Sequence, residues 1–213
     1  LGNHLIANAK ALIFSGILFS SKEADLWLEK GVKLLTNEIK EQILDDGGHF
    51  ELSPMYHSII LEDFLDILSL FKSHDNERFS AKIQLLENKI EDMFFWLNCM
   101  IISGNRITHF NDSTQKVSKS LQELKYYAEI LDIPQTEKLE KENLNKLTNL
   151  NSSGYIRINT ESSSLLLDVG KVGPDYIPGH AHADSLSFEL SVFGNTVIVN
   201  GGTSTYKEGK RRD

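Results

Sequence analysis

Apolar residues recur every three or four positions from residue 3 to about 147, and the spacing falls to two after about 154. A chain with that change of period builds helices first and strands afterwards. Such an order gives an α+β architecture or two domains rather than a βαβ sheet, which needs the two kinds of element in alternation. At 213 residues there is room for one large domain or two modest ones.

The helical part divides at its breakers and caps. A first helix beginning at Asn3 buries Leu5, Ile6, Ala9, Leu12, Ile13 and Ile17. Ser20 with Glu23 reads as a capping box, in which hydroxyl and carboxylate each satisfy a free first-turn amide. The second helix sets Trp27, Leu34, Leu35, Ile39 and Ile43 on one side and ends at Gly47-Gly48. Ser53-Pro54 then supplies an N-cap and a proline at the first helical position. The third helix carries the stripe Ile60, Phe64, Ile67, Leu68 and Phe71, with Tyr56 on its inner face and His57 in the first turn. Two more helices follow from Ile83, Leu86, Ile90, Phe94, Leu97 and Ile101 and from Val117, Leu121, Leu124, Ala128 and Leu131. A short charged helix is expected over 137–147 and a polar connector over 148–153. Strands are expected at 155–158, 165–167, 186–192 and 196–199, the last closing on Gly201-Gly202.

Composition removes several classes of function. The net charge of −8 argues against a broad cationic surface for nucleic acid. The one dense basic cluster, Lys207, Lys210, Arg211 and Arg212, reads as a solvated turn. A single cysteine, Cys99, lies among apolar residues, so no intrachain disulfide is possible. The longest apolar run, 11–19, is far short of a membrane span, which takes about 20 residues. The chain opens at Leu1 without methionine and stops at Asp213 soon after a strand-like segment, which reads as two cut ends.

Two places could carry chemistry. In His180-Ala181-His182, ahead of a strand, alternation would turn both imidazoles to one side as a metal half-site or an acid/base pair, or as a pair that hydrogen-bonds within a loop. Asp184 could orient a ring nitrogen or cap a turn. Asn3 and His4 open the first helix and Tyr56 and His57 the third. On spacing alone, Asn3 as a plain N-cap and Tyr56 as a core aromatic are the preferred account, and chemistry needs a further argument.

The run Gly179-His180-Ala181-His182-Ala183-Asp184-Ser185-Leu186-Ser187-Phe188 resembles the opening of the heparinase II/III-like domain. The segment 196–206 resembles the strand and turn that follow it, 47–57 (Gly-Gly-His-Phe-Glu-Leu-Ser-Pro-Met-Tyr-His) resembles that family's toroid signature, and Gly2-Asn3-His4 a third element. These matches stand in family order and bracket nearly the whole chain. The resemblance implies an incomplete (α/α) toroid over 1–150, then the start of an antiparallel β-sandwich over 151–213, with an acidic polysaccharide in the groove between them.

The resemblance also implies a polysaccharide lyase acting by β-elimination, which removes the C5 proton of a uronic acid and expels the sugar oxygen at C4. Asn3 would hydrogen-bond the substrate carboxylate, and His4 would assist it or serve as base. Tyr56 would protonate the leaving oxygen, and also take the C5 proton if cationic or hydrogen-bonding neighbours favoured its phenolate. His180 would be a base from the sandwich side. His182 matches a position that binds a structural metal, commonly zinc. The acidic partner is replaced here by Asn200, a poorer ligand because it is neutral, and the family's later histidine would lie beyond Asp213. No organic cofactor, nucleic acid or membrane span is implied, and a periplasmic location is expected. Two rival readings remain: a non-catalytic glycan-binding or scaffold homologue, and a cupin-like metal enzyme. The helical residues ahead of the histidines speak against the second.

Overall fold

The computed structural model describes residues 2–133, 146–173 and 179–203. The expected charged helix and the C-terminal basic cluster fall, wholly or nearly so, outside these residues. Five helices come first, α1 (Asn3–Leu18), α2 (Lys22–Gln42), α3 (Pro54–His74), α4 (Asn76–Cys99) and α5 (Leu121–Ile130), with a small hairpin of β1 (Ile101–Ser103) and β2 (Arg106–Ile107) before α5. A five-stranded antiparallel sheet follows, β3 (Leu147–Leu150), β4 (Tyr155–Asn159), β5 (Ser163–Asp168), β6 (Phe188–Val192) and β7 (Asn195–Ile198), each strand beside the next in the chain. No helix among the described residues is long and apolar enough to cross a membrane.

Local chemistry explains where the helices start. Ser53 accepts from the Tyr56 amide at 3.4 Å with Pro54 in the first turn, as its sequence requires. The cap of α2 is Ser21, which accepts from the Ala24 amide, and not the expected Ser20. Sliding the start by one residue keeps Glu23 and Asp25 in the first turn, against the positive end of the helix dipole. It also turns α2 so that Ala24 and Leu28 are buried while Trp27 is 38% exposed. The helix closes at Gln42, short of Gly47-Gly48, because Ile43 leaves it for a bridge to His49. Ile101 ends up in β1 and Val117 is exposed, so neither extends its expected stripe.

The polar connector expected at 148–153 is in part a strand. Its residues pair with β4 from Leu147↔Ile158 to Leu150↔Tyr155, an edge where backbone pairing needs no run of apolar side chains. At the other end Leu186 stands outside β6 with φ 67° and 81% exposed, so the expected strand starts two residues later.

Two cores hold these elements. The larger joins α1 to α5 through residues such as Ile13, Leu35, Phe64, Phe71 and Leu97. The smaller sits where α4 meets the sheet and contains Trp96, Phe110, Leu150, Tyr155 and Leu166. Trp96 is its fastening: the fully buried indole lies 4.5 Å from the His57 ring, meets Tyr155 edge-on, and donates to Ser153 Oγ at 2.9 Å. Asp46 receives the Ser153 amide and hydroxyl at 2.7 and 2.9 Å. Trp96→Ala is therefore expected to destabilise the protein by roughly 3–5 kcal/mol, read from its urea midpoint. A loss under about 1 kcal/mol would mean that the two parts do not depend on this side chain.

Candidate active site

Three segments that are distant in sequence meet beside the first turn of α1. The loop 47–53 brings His49 and Glu51, the loop 108–115 brings Asn111 and Asp112, and the turn before β6 brings His180 and His182. Each is locked by bonds to the others. Ser53 Oγ donates to the Asp112 carbonyl at 3.2 Å, the Ser113 hydroxyl accepts from the Met55 amide at 3.1 Å, and the Asp112 amide donates to the His180 carbonyl at 3.0 Å. Asn111 bonds in both directions, its Nδ2 donating to the Leu52 carbonyl at 3.0 Å and its Oδ1 accepting from the His182 amide at 3.1 Å. Leu52 and Asn111 both have positive φ, 59° and 54°. Such backbone is unfavourable for a leucine, and here these bonds across the site restrain it.

Of the residues expected to act, Tyr56 and His180 are brought face to face, with ring centroids 3.8 Å apart and planes tilted by 34°. Asn3 lies alongside through Glu51, whose Oε1 accepts from the Asn3 amide at 3.2 Å. Asn3 is thus the first residue of α1 and not its cap, a position held by Gly2 with φ 62°. A Cβ on Gly2 would come within 2.1 Å of Glu51 Oε1, so the glycine makes this approach possible. His4 is exposed on the same turn, close enough for its charge to act on Glu51.

His180 Nδ1 lies 3.0 Å from Asp112 Oδ2, while Thr203 donates to the other oxygen of that carboxylate at 2.8 Å. An ionised carboxylate only accepts, so Nδ1 carries the hydrogen and Nε2 is the nitrogen free for proton transfer. Asp184 does not orient this ring. It receives the Asn111 backbone amide and so supports the loop. The two histidines of the His-x-His pair diverge, since among the described residues His182 Nε2 approaches Thr203 Oγ1, at 3.5 Å, and not a carboxylate.

Burial raises the proton affinity of Tyr56, the Asp112 carboxylate raises it further, and Glu51 does so whenever it is ionised. The phenol therefore rests protonated, as a proton donor requires, and the Asp112 carboxylate beside it disfavours its phenolate. Burial likewise raises Glu51, against the lowering effect of the Asn3 amide, His180 and His4. The same desolvation holds His49 well below the usual histidine range and His57 at about 3, so both buried rings are neutral.

The residues expected at a metal do not fit one. Asn200 Oδ1 accepts from the Gly202 amide at 3.1 Å and its Nδ2 donates to Ser187 Oγ at 3.1 Å, so both ends of the amide are held by the protein. Among the described residues no three His, Cys, Asp or Glu side chains are grouped as a metal ion needs. Four members of the site carried no role in the sequence: His49 and Glu51, although they stand within the 47–57 signature, and Asn111 and Asp112, which lie in an irregular polar stretch with no periodicity to mark them. A cavity of about 740 Å³ lies off the site, lined by Phe50 and Leu52, the neighbours of Glu51.

Comparison with known proteins gives one picture. The profile described as Heparinase II/III N-terminus matches residues 1–140, and that described as Heparinase II/III-like, C-terminal, matches 142–213. A heparin-sulfate lyase of Pedobacter heparinus is 28% identical over 96% of this chain and 32% of its own length. One of Bacteroides thetaiotaomicron is 30% identical over 65% of this chain and 21% of its own. The crystal structure of a heparinase III superposes with a TM-score of 0.80 at 24% identity, covering 97% of this chain and 35% of that one. A heparan sulfate lyase mutant from Pedobacter heparinus gives 0.72. The chain spans about a third of the length of the curated relative it matches along nearly its whole length.

Proposed function

The chain belongs to the heparinase II/III family, and from that premise we propose that it carries the catalytic groups of a polysaccharide lyase that cleaves uronic-acid-containing chains by β-elimination. The observation that carries this reading is the contact of Tyr56 with His180 at 3.8 Å, a protonated phenol against an imidazole whose Nδ1 is held by Asp112.

β-Elimination needs a base for the proton at C5 and an acid for the oxygen leaving C4. His180 Nε2 takes the first role. As the C5–H bond breaks, its electron pair becomes the C4–C5 double bond and the C4–O bond opens, and Tyr56 delivers its phenolic proton to the departing oxygen. The Tyr56 phenolate then recovers a proton from the adjacent His180, which returns both groups to their starting forms. Asn3, at the positive end of α1, is placed to hydrogen-bond the sugar carboxylate while charge develops on it. His4 on the same turn adds to this anion-binding edge.

The relatives named as heparin-sulfate lyases favour a glycosaminoglycan over alginate as the polymer. The proposal includes the two-part organisation, an incomplete (α/α) toroid over 1–150 and the start of a β-sandwich over 151–213, and a periplasmic location suited to degrading external glycans. No step requires a metal.

The test is to offer the full-length protein a panel of acidic polysaccharides and follow the ultraviolet absorbance of unsaturated uronate. A rise on heparan sulfate is expected. Binding across the panel with no rise would replace the lyase by a glycan-binding protein without turnover.

A further inference from the structure

Among the described residues, four buried side-chain polar atoms lack a hydrogen-bond partner, and three of them belong to this site: Asn3 Oδ1, His49 Nδ1 and Glu51 Oε2. Their hydrogens can be assigned from their neighbours. Gln42 Nε2 donates to the Gly2 carbonyl at 2.9 Å and to Glu38 Oε2 at 2.7 Å, so its remaining terminal atom, Oε1, is a carbonyl oxygen that can only accept. His49 Nε2 lies 2.9 Å from that oxygen and must donate to it, which leaves Nδ1 of this neutral ring as a bare lone pair. The lone pair stands 3.8 Å from Glu51 Oε2. On the other side, 3.7 Å away, is His180 Nε2, which is a lone pair whenever that ring is neutral, because Nδ1 donates to Asp112.

With the His180 ring neutral, Glu51 Oε2 is thus a buried acceptor between two acceptors. An ionised carboxylate there would be desolvated without a donor on that oxygen, an arrangement that costs far more than a neutral carboxylic acid in the same place. Among the described residues, the charged and titratable groups around it are His49 on its own loop, His4 on α1, Tyr56 on α3 and His180 on the turn before β6, with Asp112 behind His180. None of these described groups is a permanent cation. An anionic sugar entering beside Tyr56 and His180 would meet an ionised Glu51 as a like charge.

We propose that Glu51 is a specificity-determining residue of this site, a carboxylic acid whose hydrogen on Oε2 is the condition for binding an anionic sugar. The inference rests on the lyase reading for its ligand but not for the state of the resting protein. Where solution pH lies above the midpoint of Glu51, the site takes one proton from the buffer onto Oε2 as the sugar carboxylate arrives. Below it the proton is already in place, and binding releases and takes up none. The raised proton affinity that burial gives Glu51 agrees with this.

Two measurements decide it. In the sugar-free full-length protein, the infrared carbonyl band of a buried carboxylic acid is expected to appear as pH is lowered through the Glu51 midpoint, and it should vanish in Glu51→Gln; a spectrum without a band assignable to Glu51 at any pH where the protein is folded overturns the proposal whatever the protein binds. In calorimetry with heparan sulfate tetrasaccharides, both proteins carry Tyr56→Phe to stop turnover and are titrated in buffers of different ionisation enthalpy. With Glu51 intact, uptake approaching one proton is expected above the midpoint, with affinity falling about tenfold per pH unit. Glu51→Gln, neutral at every pH, should bind with no proton uptake and no such fall. Proton uptake that persists in the Gln variant, or loss of its binding at low pH while the parent still binds, would overturn the proposal. If the acid band is present but no acidic sugar binds, the lyase reading fails, and with it the claim about the ligand.

Discussion

Tyr56→Phe in the full-length protein is expected to lower the rate of unsaturated-uronate formation by about 10²–10⁴-fold while binding of the polymer is kept, because the change removes one hydroxyl that transfers a proton and leaves the ring in place. The ring itself has a structural duty, lying against His180 at 3.8 Å and packing on the larger core, and phenylalanine preserves both contacts. The drop should therefore fall on kcat, with KM changed little, and the thermal midpoint should stay close to that of the parent. A variant retaining more than about a tenth of the parent rate would remove Tyr56 from proton transfer and leave it as a wall of the cleft. The measurement is initial rates at saturating and subsaturating heparan sulfate.

The second large effect is expected at Asp112. In Asp112→Asn, the Thr203 hydroxyl continues to donate to the remaining carbonyl oxygen, as it does now at 2.8 Å, and this turns the new amide nitrogen toward His180 Nδ1. A donor in that place requires Nδ1 to accept, so the ring hydrogen moves to Nε2 and the nitrogen that should take the C5 proton is blocked. A loss of about 10²-fold or more in kcat is expected, and nitrogen chemical shifts of the His180 ring should report the exchanged tautomer. An unchanged tautomer with full activity would show that Asp112 only holds the loop. Asp112→Ala separates the cases, since it removes the bond without imposing the wrong tautomer and should cost less.

What could be read from sequence follows the range of the forces involved. The third helix was legible to the residue, because Ser53, Pro54 and the stripe from Ile60 to Phe71 act within a few positions of one another. The phase of α2 was not, because Ser20 and Ser21 both satisfy the local rule and the choice is made by which face, Leu28 or Trp27, meets the core. β3 escaped notice since an edge strand is recognised by its partner rather than by its own composition. At the site, Tyr56, His180 and Asn3 were named through a family resemblance, and the structure brings the first two into contact with the third one residue away through Glu51. The roles of Asp112 and Glu51 lie in contacts across 68 and 48 residues, as does the assignment of Asp184 to a loop amide instead of an imidazole. The pairing of His182 with Asn200 was a matter of family position alone, and the local bonds of Asn200 to Ser187 and Gly202 take it elsewhere.

The Asn111 side chain gives the site a further property. One amide group bonds the Leu52 carbonyl, on the loop that leads into Tyr56, and the His182 amide, on the turn that carries His180. When either segment drifts it draws the other with it, so their thermal excursions are correlated and cancel in the difference. The spacing between Tyr56 and His180 is then steadier than the placement of either one against the helices.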